Sequence, residues 1–273
     1  MANPRKIPIV TANVRKCDRN DARLLAELGQ FRPELLSPVE LREDRYQAVR
    51  TLLFARAQLV KTRTSMINFV RAEVRLLGHS LPSWGSNCFA AKSRGVIPKE
   101  LGVALGPVLD VLERITKEIA GYDDQIESIS TTNFPETALL RQIHGVGPLI
   151  ALAFVATIGD PKRFKRSRSI GAYLGLVPRS SQSGSRNPTL SITKCGDRFL
   201  RSLLVSAATR TLGPHGTDSD LRRLGLSMAA TGDKRARAKA RIAVARRLGV
   251  LMHHLLLTGE VYEPLRNSEL AAA

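Results

Sequence analysis

The sequence predicts a mainly α-helical protein: a long antiparallel helical hairpin between a small αβ remnant and an all-α C-terminal domain. Three observations carry this. Apolar residues recur at spacings of three and four along two long runs, about 46–77 and 101–129, the period of helices that pack side by side. A stretch rich in Gly, Pro and Ser, "GHSLPSWGSNCFAAKSRG", separates the runs and lets the chain reverse. Extended chain is expected at the start, in "MANPRKIPIVTANVRK", and one strand with one helix is the tail end of a sheet domain rather than a whole one.

The elements follow in order. In "CDRNDARLLAELGQF", Asp18 is a good N-cap, Asp21 stands three residues on and Gly29 closes the helix. The first hairpin seam is Tyr46, Val49, Leu53, Val60, Ile67, Val70, Val74 and Leu77, interrupted by Arg56 and Arg63. The second runs Leu101, Leu105, Val108, Leu112, Ile115, Ile119, Tyr122, Ile126, Ile129, with Pro107 marking either a kink or the true helix start. Such a hairpin packs on its own domain, dimerises, or carries one domain away from another. After Pro135, "IHGVGPLIALAFVATIG" sets Gly145 and Gly147 before a small-residue helix. This is the pattern of a helix-hairpin-helix, whose turn amides can face a phosphate, or of a plain glycine turn between core helices. The last helix, in "DKRARAKARIAVARRLGVLMHHLLL", is basic at its start and carries Ile242, Ala245, Leu248, Met252 and Leu255 on one face.

A formal charge of +18 with 42 Lys and Arg implies a polyanionic partner, nucleic acid first. The charge is uneven. Residues 101–140 hold seven acids against Arg114 and Lys117, whereas 161–201 hold ten bases against Asp197 alone. The basic candidates are Lys162, Arg163, Lys165, Arg166 and Arg168, then Arg179, Arg186, Lys194, Arg198 and Arg201, then Lys234, Arg235, Arg237, Lys239 and Arg241. Lys and Arg contacts of this kind position a backbone rather than read its sequence.

Other classes lack support. Three distant cysteines make neither a disulfide framework nor a zinc ribbon, and a reducing, cytoplasmic compartment fits. The longest nearly apolar run, "LIALAFVATIG", is too short for a bilayer, so no membrane partner is expected. No phosphate-binding P-loop or dinucleotide fingerprint occurs, and the five histidines, away from zinc spacings, read as surface or capping residues.

Two constellations could do chemistry. Asp18 and Asp21 at i and i+3 share a helix face, suited to a divalent metal against a phosphodiester or simply to a capped helix start. In "GLVPRSSQSGSRNPTLSITKCGDRFLR", Ser180, Ser181, Ser183 and Ser185 lie among Arg179, Arg186, Lys194, Arg198 and Arg201. Composition alone makes this a phosphate-binding loop, with a serine nucleophile as the sharper alternative.

"KCDRNDARLLAEL", "IHGVGPLIALAFVATIGDPKRF", "GAYLGLVPRSSQSGS" with "ITKCGDRFLRSLLVSAA", and "ARAKARIAVARRLGVLMHHLL" resemble, in order, the successive signatures of the DEDD transposases of the one-hundred-and-ten insertion-sequence family. The resemblance implies a RuvC-like domain whose four acids bind magnesium, a helical coiled-coil insert, and a C-terminal domain supplying a serine. That serine forms a covalent phosphoserine with DNA, a bridge RNA guides the choice of site, and several protomers assemble. Carried onto this chain, Asp18 and Asp21 match the last two acids and Ser183 before Gly184 the nucleophile, with Ser181 the alternative; the residue after Gly184 is Ser185 where the family often has another glycine. The expected division is 1–37 as a RuvC-like remnant, 38–135 as the coiled-coil hairpin and 136–273 as the transposase domain. The first two acids find no place upstream of "NPRK", which reads as an N-terminally truncated member with poor strand transfer on its own.

Overall fold

The computed structural model describes residues 7, 17–36, 43–179, 181 and 190–266. The described residues are mainly helical, and their one β-bridge joins Pro178 to Ile192. The chain divides into two compact units, Met1–Asp44 and Arg45–Ala273.

In the first unit, α1 (Asp18–Phe31) is followed by a 3₁₀ turn, Pro33–Leu36. The expected cap is shifted by one residue. Cys17, in extended backbone, takes the N-cap position, and its carbonyl accepts the N–H groups of Asn20 and Asp21 at 3.0 Å each. Asp18 therefore stands inside the first turn, where its charge still favours the helix N-terminus. The helix also continues past Gly29 to Phe31. The extended segment expected in the first sixteen residues lies outside the described residues, Ile7 excepted.

In the second unit, α2 (Asp44–Leu76) and α4 (Lys99–Thr132) are the two long hairpin helices, with a short α3 (Phe89–Arg94) between them. They run antiparallel. At the root, Tyr46, Val49, Leu53 and Ile126 share a core with Phe134 and the C-terminal helices; at the far end, Ile67, Val70 and Val74 pack with Leu105, Leu109 and Leu112. The polar break in the first seam lies between these clusters and is itself a cross-helix contact, Arg56 donating to both Asp123 carboxylate oxygens at 2.8 and 3.2 Å. Arg63 donates to Asn87 Oδ1 at 3.0 Å, and partial burial holds its guanidinium below the usual arginine range. Pro107 does not start the helix: α4 begins at Lys99 behind Pro98 and continues through it. Proline there lacks the N–H that Val103 would otherwise receive, and Val103 is 90% exposed, so water can serve its carbonyl.

Beyond the hairpin come α5 (Thr137–Arg141), α6 (Pro148–Ile158), a 3₁₀ turn Pro161–Arg163, α7 (Ser169–Tyr173), α8 (Arg198–Thr211), α9 (Asp220–Met228) and α10 (Lys234–Thr258). From Ala151 to Ile158 every residue of α6 is buried. A helix apolar on all sides can only be central, and burying each of its larger side chains stabilises the fold by about 1.5–3 kcal/mol. α8 packs on it, and α10 packs in turn on α8 and α7, so this core sets the direction of the two helices that carry the basic residues.

Candidate nucleic-acid interface

The described segments that flank the serine-rich stretch are pinned to each other. Arg179 N–H donates to Ser191 O and Thr193 N–H to Val177 O, both at 2.9 Å, and Lys194 N–H donates to Gly175 O at 3.1 Å. The two segments approach so closely that a Cβ on Gly175 would lie 2.1 Å from Cys195 O, and one on Gly196 would lie 1.9 Å from Tyr173 O. Both glycines have positive φ, +67° and +84°, a region closed to most side chains. Arg201 braces the same place, donating from Nη1 to Leu174 O at 3.0 Å and Cys195 O at 3.2 Å. This gives Arg201, grouped by charge with the nucleic-acid contacts, a structural duty. Arg179 similarly donates to Ser191 Oγ at 2.9 Å. Ser183 and Arg186 lie outside the described residues, and Ser181 is exposed.

Where the second segment feeds into α8, a buried ion pair ties it to the hairpin. Asp197 caps α8 by accepting Leu200 N–H at 2.8 Å, and its other carboxylate oxygen accepts from Arg50 at 2.7 Å. Arg50 also donates to Thr157 Oγ1 of α6 at 2.6 Å and lies over the Phe54 ring. Both side chains are about 10% exposed. Composition and motif reading missed Arg50; the available signal is a cation one turn after Tyr46 on the apolar stripe of α2.

Basic residues gather along α8 and α10. One depression, of about 590 Å³, is lined by Ile192, Lys194, Arg198, Arg201, Val205 and Ile242. The next, of about 790 Å³, continues on the same face of α8 with Thr209 and Leu212, opposite Lys234, Arg237 and Arg241 of α10. No carboxylate among the described residues lines either one. Spacings of three and four put Lys234, Arg237 and Arg241 on one face, whereas Arg235 and Lys239, though exposed, do not line this groove.

The segment carrying Lys162, Arg163, Lys165, Arg166 and Arg168 is held from below by a histidine. His253, on α10, is fully buried, contrary to the surface or capping place expected of it. Its ring nitrogens contact Ser167 Oγ and Pro161 O, both at 2.9 Å. Pro161 O can only accept, so Nε2 carries a proton, and in the neutral ring Nδ1 accepts from the Ser167 hydroxyl. Burial pushes this imidazole below its ordinary value, which favours the neutral form. Arg163 stacks on Phe164 and Tyr173, at 4.6 and 5.1 Å to the ring centroids.

Gly145 has φ +90° and lies against α8, its added Cβ 3.2 Å from Ala207 O, while Gly147 is the N-cap of α6 with open space before it. Asp18 is exposed, and Asp21 Oδ1 is shielded without a hydrogen-bond partner. Among the described residues no three His, Cys, Asp or Glu side chains gather to hold a metal ion.

A helical scaffold whose described residues form a basic groove along α8 and α10, next to the braced segments around Gly175 and Gly196, suits a protein that handles nucleic acid. Known proteins narrow the class. Residues 137–221 match the family model described as transposase IS116/IS110/IS902 family, and residues 2–77 match the DEDD IS110 transposase model. The chain is 30% identical over 262 residues to the transposase for insertion sequence element IS1111A of Coxiella burnetii, covering 93% of this chain and 70% of that protein. It is 32% identical over 208 residues to the transposase for insertion sequence element IS1328 of Yersinia enterocolitica, covering 74% of this chain and 60% of that one. The chain belongs to the IS116/IS110/IS902 family of insertion-sequence transposases. No helix among the described residues is long and apolar enough to cross a membrane.

Proposed function

We propose that this chain acts on DNA as a transposase or recombinase of a mobile insertion sequence, with Ser183 as nucleophile. The observation that supports this best is the base of its loop, two close-packed segments locked by Gly175, Gly196 and Arg201 and opening beside a basic groove. A nucleophile needs its backbone held in place and positive charge near the phosphorus it attacks. In the proposed step Ser183 Oγ bonds to phosphorus as the bond from phosphorus to a sugar oxygen breaks. The serine proton leaves to a base, and the departing oxygen takes up a proton. Lys194 and Arg198, at the mouth of the groove, hold the phosphate. Lys234, Arg237 and Arg241 carry the strand further, and the Gly145–Gly147 turn serves as a helix-hairpin-helix contact to a neighbouring phosphate.

Asp18 and Asp21 would contribute to holding magnesium, which when bound would draw charge from a phosphoryl oxygen. A guide RNA and assembly of several protomers belong to the same reading, as does action in the cytoplasm at the nucleoid. A second reading, a nucleic-acid-binding protein without catalysis, is favoured by the incomplete set of metal-binding side chains among the described residues.

The variant Ser183→Ala separates the two. With a DNA carrying the element end, together with its guide RNA, the unaltered chain should leave a protein–DNA adduct that survives denaturing electrophoresis. The variant should leave none while binding DNA as before. Adducts that persist in Ser183→Ala and vanish in Ser181→Ala would move the nucleophile to Ser181, and adducts from neither protein would favour the binding-only reading.

A further inference from the structure

On the other side of α9 from the groove lies a second depression, of about 400 Å³, between α9 and α10. Its walls include Arg168, Arg246 and Arg247, its apolar lining includes Leu224, Met228 and Val250, and no carboxylate among the described residues lines it. Among the described residues none of the three guanidinium groups forms an ion pair or a hydrogen bond. Three cations around one hollow repel one another. Arg247 also borders the neighbouring hollow that Asp220 and Glu263 line, whereas no acid stands with Arg168 and Arg246 in this lining, and the group that best offsets the charge here is an anion from outside.

The site is also held in shape. The Arg246 stem lies across α7, where a Cβ on Gly171 would meet its Cγ and Nε at 3.0 Å and push the side chain aside. Arg168 follows Ser167, whose hydroxyl is fixed by His253 at 2.9 Å. Arg247 is the next residue of α10 and completes the rim. Guanidinium forks match phosphate oxygens, and the apolar lining suits the sugar between successive phosphates.

We infer that Arg168, Arg246 and Arg247 form a separate binding site for a nucleic-acid phosphodiester, engaged at the same time as the α8–α10 groove. This rests on the reading of the chain as a nucleic-acid-handling protein and adds a second, arginine-built contact to it. The phosphates belong either to duplex DNA or to a structured RNA, and the test distinguishes them.

The test is the salt dependence of binding, measured by fluorescence anisotropy between about 50 and 200 mM salt with a labelled duplex DNA and, in parallel, a labelled RNA hairpin. Each phosphate contact removed should make the slope of log K against log salt shallower by about 0.9 on duplex DNA and by about 0.7–0.9 on the RNA hairpin, which combines a paired stem with a single-stranded loop. The triple variant R168Q/R246Q/R247Q should lose about two to three contacts on one of the two probes, and that probe identifies the source of the phosphate. K234Q/R237Q/R241Q should lose its own share, with the two losses adding in the combined variant. Gly171→Ala keeps the charge but displaces Arg246, and should shift the slope in the same direction by less. An unchanged slope in the first triple variant on both probes, with a reduced slope in the second, would sink this site and leave the groove standing. Unchanged slopes in both would remove the nucleic-acid reading of the whole surface.

Discussion

His253 shows how a single buried side chain can set the pH range of the fold. Burial lowers its imidazole below the usual value of 6.5. The unfolded chain then binds more protons than the folded one as pH falls past that value. Its stabilising contribution is therefore complete above about pH 6.5 and drains away as pH falls toward the folded-state value. Urea unfolding between pH 7.5 and 5 should show stability falling across this window. His253→Gln should be weaker at pH 7.5 by about 1–3 kcal/mol, through the Pro161 and Ser167 partners it leaves unmatched, and should have a flatter pH profile. Parallel profiles for the two proteins would rule His253 out as the titrating group. The sequence hides all this because "HH" within an apolar helix does not say which histidine faces inward.

Among elements, the junction of α2, α6 and α8 is where a local change should travel furthest. Arg50 reaches from the hairpin to the cap of α8 and to Thr157, and removing it leaves Asp197 largely buried beside a broken pair. Breaking one partner of a buried pair costs about 3–5 kcal/mol, and Arg50→Ala should lower the urea midpoint accordingly. Arg50→Lys should recover only part, since an ammonium cannot extend two forks to two acceptors. A loss below about 1 kcal/mol for Arg50→Ala would mean that water already screens the pair. The hairpin around this junction was legible because heptad spacing is a local signal that survives folding. The short helix Phe89–Arg94 was not, because six residues have no period to read. It exists because Phe89 is buried between the hairpin helices, with Trp84 at 6.3 Å between ring centroids. The site was legible in the same uneven way. Composition names the basic residues, but only packing separates Arg201, which donates to two backbone carbonyls, from Lys234, Arg237 and Arg241, which line an open groove.

Across the second unit, charge is sorted by element. The acids of 101–140 lie mostly on α4, several of them engaged by Arg56, Arg94 and Arg141, while the basic groove belongs to α8 and α10. A polyanion approaching this unit is drawn to the α8–α10 surface more strongly than to the acids of α4, a bias that favours one orientation before any contact forms. Glu118 and Asp124, both exposed, contribute to that repulsion. Charge reversal in E118K/D124K should raise the association rate for duplex DNA several-fold at low salt. The gain should vanish near 0.15 M, where screening acts within about 8 Å. Because these residues stand on the hairpin and not in the groove, the dissociation rate should stay the same, and stopped-flow mixing with a labelled duplex reads both rates. A slower dissociation that persists at 0.15 M would mean that the hairpin itself lies against the DNA, and that the bound nucleic acid extends along α4 as well as α8 and α10.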